Sequence, residues 1–89
     1  MAQMIPIVDV KRTGQNIYHL MQEQQVSIKD VQEVCGFTTP QAIYKWLNGK
    51  NLPTIDNLVI LACLLHCTID DIIIVVWRIE KRLGKRSNI

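Results

Sequence analysis

The sequence predicts a compact all-α fold of five helices, the last of which is an extended C-terminal helix. Three observations predict it. Apolar residues recur at spacings of three and four along most of the chain, serine or threonine precedes apolar segments, and glycine follows two of them. Because 89 residues with 48% hydrophobic content suffice for one core, we expect a single domain without a separate sensory or catalytic unit.

The first predicted helix spans residues 10–24. Either Asp9 or Thr13 can cap its N-terminus, and Gly14 is a local weakness because glycine has a low helix propensity. His19 lies on the polar side and is interpreted as a surface residue. The residues expected to face the core are Ile17, Leu20 and Met21.

The second predicted helix begins after Ser27, which can cap the amides of the first turn. Asp30 follows three residues later, where a carboxylate favours the positive end of the helix dipole, as in a weaker form of the capping box. Gly36 ends the helix, since glycine adopts a positive φ without steric penalty. The residues expected to point inward are Ile28, Val31 and Val34.

The third predicted helix spans residues 39–48, with Thr39 as N-cap, Pro40 at the first helical position and Gly49 after its end. Two short helices joined by a tight turn leave the second one exposed, so that it can enter the major groove of DNA. Inward positions are Ile43, Trp46 and Leu47, and outward positions are Gln41, Tyr44, Lys45 and Asn48. This outward face carries groups that suit base edges and phosphate oxygens.

The fourth predicted helix follows a loop at residues 51–53, and Thr54 with Asn57 indicates its start. It continues to about His66 and is apolar almost all round. The residues expected to form the central support of the domain are Leu58, Ile60, Leu61, Leu64 and Leu65.

The fifth segment is ambiguous, because residues 72–77 have the β-branched richness of a strand. Helical spacing fits better, and Asp70 and Asp71 would occupy a first turn, where negative charge is favourable. We therefore predict a long fifth helix. Its stripe at three- and four-residue spacing would comprise Ile69, Ile72, Ile73, Val76, either Ile79 or Glu80, and Leu83.

A second face of this helix carries Ile74, Val75 and Trp77 without an obvious intrachain partner, and exposed apolar area of this kind marks interfaces. We expect a homodimer through these residues. The alternative is that they pack on the apolar leader, residues 4–8.

The chain divides into an N-terminal leader (residues 1–9), a central domain (10–77) and a basic C-terminal extension (78–89). The extension either lies beside phosphates or anionic partners, or is a solvated end that aids solubility. Against Glu80 alone it has five basic residues, a local surplus of 5 − 1 = +4, namely Arg78, Lys81, Arg82, Lys85 and Arg86.

An ordered set of residues from about 17 to 73 resembles the Xre-type helix-turn-helix family of Cro and CI repressors. Its members are Ile17 and Leu20, Val31 and Gly36, Ile43 and Trp46, Asn48-Gly49-Lys50, Pro53, the apolar segment 58–65, and the closing segment Cys67-Thr68-Ile69-Asp70-Asp71-Ile72. The resemblance covers about two thirds of the chain and implies a lambda-repressor-like fold that binds double-stranded DNA.

The chain departs from the family pattern in three ways. Gln32 stands where a small residue is usual, and the turn is one residue longer than in many relatives. Met21 and Leu47 occupy the positions of a common arginine and glutamate pair, and an apolar pair there avoids the cost of desolvating two charges.

Each candidate DNA-contacting residue has an expected role. Gln41 is the best candidate for bidentate recognition of adenine, and Tyr44 either meets a sugar or a thymine methyl group or covers the apolar rim of the motif. Ser27 and Lys29 lie where relatives contact a phosphate. The expected base contacts are Gln41, Tyr44, Thr39 and Lys45, and the expected phosphate contacts are Ser27, Lys29, Lys45, Asn48 and Lys50.

Three cysteines without a secretory signal make a disulfide framework unexpected. Cys63, His66 and Cys67 would need a fourth ligand to hold a metal ion, so no metal site is expected, and the cysteines, Cys35 included, are interpreted as small core residues. No nucleophile is spaced to pair with a base and no phosphate-binding glycine loop is present, which argues against an enzyme, a cofactor or a small-molecule substrate.

The leader lacks the features of a signal peptide, and the apolar runs 58–65 and 72–77 are shorter than the roughly twenty residues of a membrane span. We therefore expect a cytoplasmic protein without membrane contact. With a net charge of only +2, attraction to DNA should depend on where the charges lie. The sequence predicts a DNA-binding transcriptional regulator, in the simplest case a repressor. The alternative is a protein-interaction module, such as an antitoxin-like or assembly partner, that uses the surface of the fifth helix.

Overall fold

The computed structural model describes residues 3–80 and contains five helices and two strands. Their bounds are β1 (Gln3–Val8), α1 (Val10–Glu23), α2 (Ile28–Cys35), α3 (Gln41–Leu47), α4 (Ile55–Leu64), α5 (Ile69–Ile72) and β2 (Val75–Glu80). The prediction of five helices is confirmed. The fold is not all-α, however, because β1 and β2 form a two-stranded antiparallel sheet.

The prediction of a long fifth helix is wrong. Helix α5 ends at Ile72, Ile73 is already extended, and the β-branched run that follows pairs with the leader from Val8 opposite Val75 to Gln3 opposite Glu80. β-Branched side chains lose rotamer freedom in a helix, whereas a pleated strand accommodates them. The expectations for Lys81, Arg82, Leu83, Lys85 and Arg86 concern residues outside the described range.

Nine buried apolar residues form the core between the helices. They are Ile17, Met21, Val31, Ile43, Trp46, Leu58, Leu61, Leu65 and Ile72. Val34 was expected inside but is 52% exposed. A spacing of three drifts by about 60° around the helix at each step, so the third residue of the series leaves the core face, and Cys35 is half-buried there instead.

The cysteines differ in their surroundings. Cys35 and Cys67 are half-buried, and burial raises the pKa of both thiols, with a smaller contribution from Asp71 at Cys67. Cys63 is exposed, so its assignment to the core is wrong. Because α4 is apolar on nearly every side, composition could not indicate which face of this helix is buried. Leu58 and Leu61 lie on the buried face, whereas Ile60 and Leu64 are only half-buried.

Among residues 3–80, no helix has the length and apolar character needed to cross a membrane. Over the same residues, no three His, Cys, Asp or Glu side chains converge as a metal-binding group.

Candidate nucleic-acid interface

Helix α2 begins with a complete capping box. The backbone N–H of Asp30 donates to Ser27 Oγ at 3.0 Å, and the backbone N–H of Ser27 donates to the Asp30 carboxylate at 2.9 Å. The bond from the Ser27 backbone, reinforced by its side chain, holds the pKa of Asp30 below its ordinary value. The box fixes the start of α2, where Ser27 and Lys29 are both exposed.

The turn between α2 and α3 is held by backbone and side-chain contacts. Gly36 adopts a φ of 74°, and the Phe37 N–H then donates to the carbonyl of Gln32 at 3.0 Å. The Gln32 side chain donates in return to the Phe37 carbonyl at 3.3 Å. The Phe37 ring meets the Trp46 ring edge-on, with centroids 5.8 Å apart. The residue that departs from the family pattern, Gln32, therefore ties the turn to α2.

Helix α3 begins later than predicted. Its first helical bond runs from the Tyr44 N–H to the carbonyl of Pro40, so Pro40 occupies the N-cap position and no side chain caps the helix. The assignment of Thr39 as N-cap is wrong, because the chain enters the helix one residue further on. Thr39 is exposed, and its hydroxyl is not used to begin α3.

The outward face of α3 is open to solvent. Ile43 and Trp46 anchor the helix in the core at 0% and 4% exposure, whereas the opposite face is exposed. The residues on that face are Gln41, Tyr44, Lys45 and Asn48. These side chains are placed as a reading helix requires, and their contacts with DNA stay predictions.

Close contact between α1 and α3 sets the position of α3. A Cβ atom at Gly14 would lie 2.1 Å from the Trp46 carbonyl oxygen and 3.1 Å from that of Leu47. The two backbones therefore touch at Gly14. This glycine looked like a weak point of α1 in the sequence, but it is what allows the C-terminal half of α3 to approach α1.

A basic residue of α1 that the sequence did not single out, Lys11, lies beside the end of α3. Gly49 has a φ of 72°, and a Cβ atom there would lie 2.8 Å from Cα of Lys11, in the first turn of α1. Lys11 is exposed. Because it approaches Gly49 so closely, it lies beside the segment that carries Lys50. Residues 11 and 49 are too far apart in sequence for a local pattern to pair them. The one available signal was a lysine in a helical first turn, where the dipole disfavours positive charge.

The motif is free of acidic residues over a long stretch. Between Glu33 and Asp56 the only charged side chains are Lys45 and Lys50. Over residues 26–54, three lysines face Asp30 and Glu33, a local balance of 3 − 2 = +1, and Lys11 of α1 adds one further positive charge. This distribution suits a polyanion.

A groove of about 350 Å³ runs beside the outward face of α3. Tyr44 and Asn48 belong both to this groove and to the outward face, and Tyr44 is 46% exposed. Tyr44 therefore lines the groove and is also accessible to solvent. The other lining residues are Gln15, Tyr18, Ile28 and Leu47.

The residues expected at a dimer interface lie on and beside β2 instead of on a helix. Ile74 is half-buried, and its N–H donates to Thr13 Oγ1 at 3.0 Å. Val75 and Trp77 are 40% and 60% exposed. Their role in dimerisation stays a prediction.

The family model described as "Helix-turn-helix" matches residues 17–72, which include α2, the turn, α3, α4 and α5. No curated protein and no solved structure shows significant similarity to the chain.

Proposed function

The chain belongs to the Cro/CI-type, Xre-like helix-turn-helix family of DNA-binding transcription regulators, and from this we propose that it recognises a specific double-stranded sequence through α3. The observation that carries the proposal is the exposed polar face of α3 opposite its buried anchors, Ile43 and Trp46. A helix held in this way can insert into the major groove without unfolding any core contact.

Within this proposal Gln41 reads a base. It is the first residue of α3, and the N-terminal residues of a recognition helix contact base edges. Its amide can pair in bidentate fashion with adenine. Tyr44 and Lys45 follow one turn later on the same side, and Thr39 precedes the helix within reach of a neighbouring base or phosphate.

The phosphate contacts surround this reading face. Ser27 is exposed at the start of α2, where its hydroxyl group can contact a phosphate oxygen. Lys29, Lys45, Asn48 and Lys50 supply the other expected contacts, and the position of Lys11 beside Gly49 adds one more.

Regulation of transcription would follow from occupancy of promoter DNA by the protein. A bound protein that covers promoter DNA blocks polymerase access, so repression is the simplest outcome. One reading helix makes few contacts, and a homodimer would engage two half-sites with a higher effective concentration of the second helix.

The test begins with selection of bound fragments from random duplex DNA, followed by a gel-shift titration on the enriched sequence. Gln41→Ala with Lys45→Ala should weaken binding by at least about tenfold, since a good bidentate base contact is worth roughly 1–3 kcal/mol. The control, Gln24→Ala, removes an exposed glutamine amide away from α3 and should bind like the parent protein. Unchanged affinity of the first variant would reject α3 as the reader.

The second candidate is a protein-interaction module, and the exposed apolar residues of β2, Trp77 above all, favour it. The same selection separates the two functions. Failure to enrich any sequence at low salt, where phosphate contacts are strongest, would support a protein partner instead of DNA.

A further inference from the structure

The groove beside α3 is built by three helices that pack on one another. Its volume of about 350 Å³ lies within the range of roughly 300–1,000 Å³ that is typical of small-molecule sites. Both α1 and α2 contact α3, so packed helices set its shape. The lining residues are Gln15 and Tyr18 of α1, Ile28 of α2, and Tyr44, Leu47 and Asn48 in and after α3.

The floor of the groove is apolar. Ile28 and Leu47 line it, are half-buried and pack against the core. Leu47 is also one of the residues that depart from the family pattern, because a glutamate is common at its position. A glutamate there would bring a carboxylate into the groove, and a charge in an apolar site is costly unless it is paired. The apolar pair Met21 and Leu47 therefore leaves this chain with a neutral floor.

The rim of the groove carries two aromatic rings and two amides. Tyr18 and Tyr44 are 50% and 46% exposed, so part of each side chain remains accessible. The Gln22 side chain donates to the Tyr18 hydroxyl at 3.0 Å and thereby ties this side chain to α1. Gln15 and Asn48 are exposed, and their amides can both donate and accept hydrogen bonds.

The lining indicates the chemistry of a suitable ligand. Tyrosine rings favour another aromatic ring, in offset-stacked or edge-on contact. None of the six lining side chains carries a charge at neutral pH, so an ionic ligand would lose hydration without gaining a partner among them. A cavity of about 150 Å³ holds benzene, and a volume of about 350 Å³ therefore suits two fused rings.

We propose that the groove binds a neutral aromatic molecule of two fused rings with a hydrogen-bonding substituent, and that this molecule weakens DNA binding. Tyr44 and Asn48 line the groove and also belong to the face of α3 expected to contact DNA, so ligand and DNA compete for them. Binding of the molecule does not depend on DNA recognition, whereas its effect on DNA rests on the proposed function.

Amide chemical shifts of the isotope-labelled full chain, titrated with naphthol, test the site. Saturable shifts should concentrate at Tyr18, Ile28, Leu47 and Asn48, with a dissociation constant below about 1 mM. Tyr18→Ala should raise this constant at least about fivefold, because it removes one ring of the rim. His19→Ala removes a neighbouring exposed ring that does not line the groove and should leave the constant unchanged. Absence of saturable shifts overturns the proposal, and so does equal affinity of Tyr18→Ala and the parent protein.

A comparison of probes on the parent protein tests the ligand class without any substitution. Decahydronaphthol keeps the fused framework and the hydroxyl but has no aromatic ring, whereas naphthoate keeps the rings and adds a carboxylate. Both should bind at least about tenfold more weakly than naphthol. Affinity of either probe equal to that of naphthol would contradict a site for neutral aromatic molecules.

A gel-shift titration on the selected DNA sequence, with and without saturating naphthol, tests the effect on DNA. Naphthol should lower the DNA affinity of the parent at least about fivefold and should have a smaller effect at the same concentration on Tyr18→Ala. Unchanged DNA affinity of a parent protein that binds naphthol would overturn the competition. If no duplex sequence binds the protein, the proposed function fails, and the amide titration still decides whether the groove takes the ligand.

Discussion

The hydroxyl of Thr13 accepts a hydrogen bond from the backbone N–H of Ile74 at 3.0 Å, across 61 positions of sequence. Thr13 is completely buried, and it lies in the first turn of α1, while Ile74 directly precedes β2. Asn16 reinforces this junction, because its side-chain amide donates to the carbonyls of Asp71 and Ile72 at 2.7 and 2.9 Å. These bonds attach the end of the helical domain and the start of β2 to α1.

Thr13→Val should therefore destabilise the protein by about 1–3 kcal/mol, because it leaves the Ile74 N–H without its acceptor. Urea unfolding measures the loss. Thr13→Ser retains the acceptor, so exchange of the Ile74 amide should accelerate in the valine variant and stay slow in the serine variant. Equal exchange in both variants would mean that the hydroxyl does not hold this junction.

Gly14→Ala should destabilise the protein by about 2–3 kcal/mol, because the added methyl group forces α1 away from the Trp46 carbonyl. Helix propensity alone would predict the opposite sign, a gain of about 1 kcal/mol. Chemical denaturation distinguishes the two. Gln15→Ala, at the neighbouring exposed position, should change stability by less than about 0.5 kcal/mol.

The two capping boxes should make stability depend on pH in the acid range. Bonds from the backbone and side chain of Ser27 lower the pKa of Asp30, and those of Thr68 do the same for Asp71. A depressed pKa in the folded protein means that the contribution is complete above the ordinary value of 3.8 and is lost as pH falls through the lower folded value.

The check compares the parent with Asp30→Ala combined with Asp71→Ala by urea unfolding between neutral pH and pH values below 3.8. The parent should be more stable at neutral pH, and the difference should shrink on acidification. A difference that stays constant with pH would show that the charges of these two carboxylates do not stabilise the caps.

Lys11→Gln should weaken DNA binding about equally for specific and unrelated sequences, because it removes a phosphate contact and no base contact. The slope of log affinity against log salt should fall in magnitude by about 0.9. Glutamine keeps most of the apolar stem that packs near Gly49, so the fold should be retained. A slope that stays unchanged in this variant would show that Lys11 makes no phosphate contact.

Much of the helix-turn-helix unit could be predicted from the sequence, because the sequence signals that specify it are local. Ser27 with Asp30 and Thr68 with Asp71 form capping boxes over four residues, Gly36 ends α2, and helical spacing selects Ile43 and Trp46 for the core. Each signal depends on backbone geometry within about one helical turn. The predicted start of α3 is one residue too early, because proline favours the first helical position whereas Pro40 is the N-cap residue here.

The remaining features depend on residues that are distant in the chain. Whether residues 75–80 form a helix or a strand was decided by β1, which supplies the pairing bonds that propensity alone cannot indicate. Gly14 permits the contact of α1 with α3, and Gly49 brings Lys11 beside Lys50, because tertiary packing sets these distances. The sequence alone determined the helix-turn-helix unit through short-range capping and periodicity. The two-stranded sheet and the placement of α3 against α1 required the folded chain, because contacts between residues from 46 − 14 = 32 to 80 − 3 = 77 positions apart compete there with local preference.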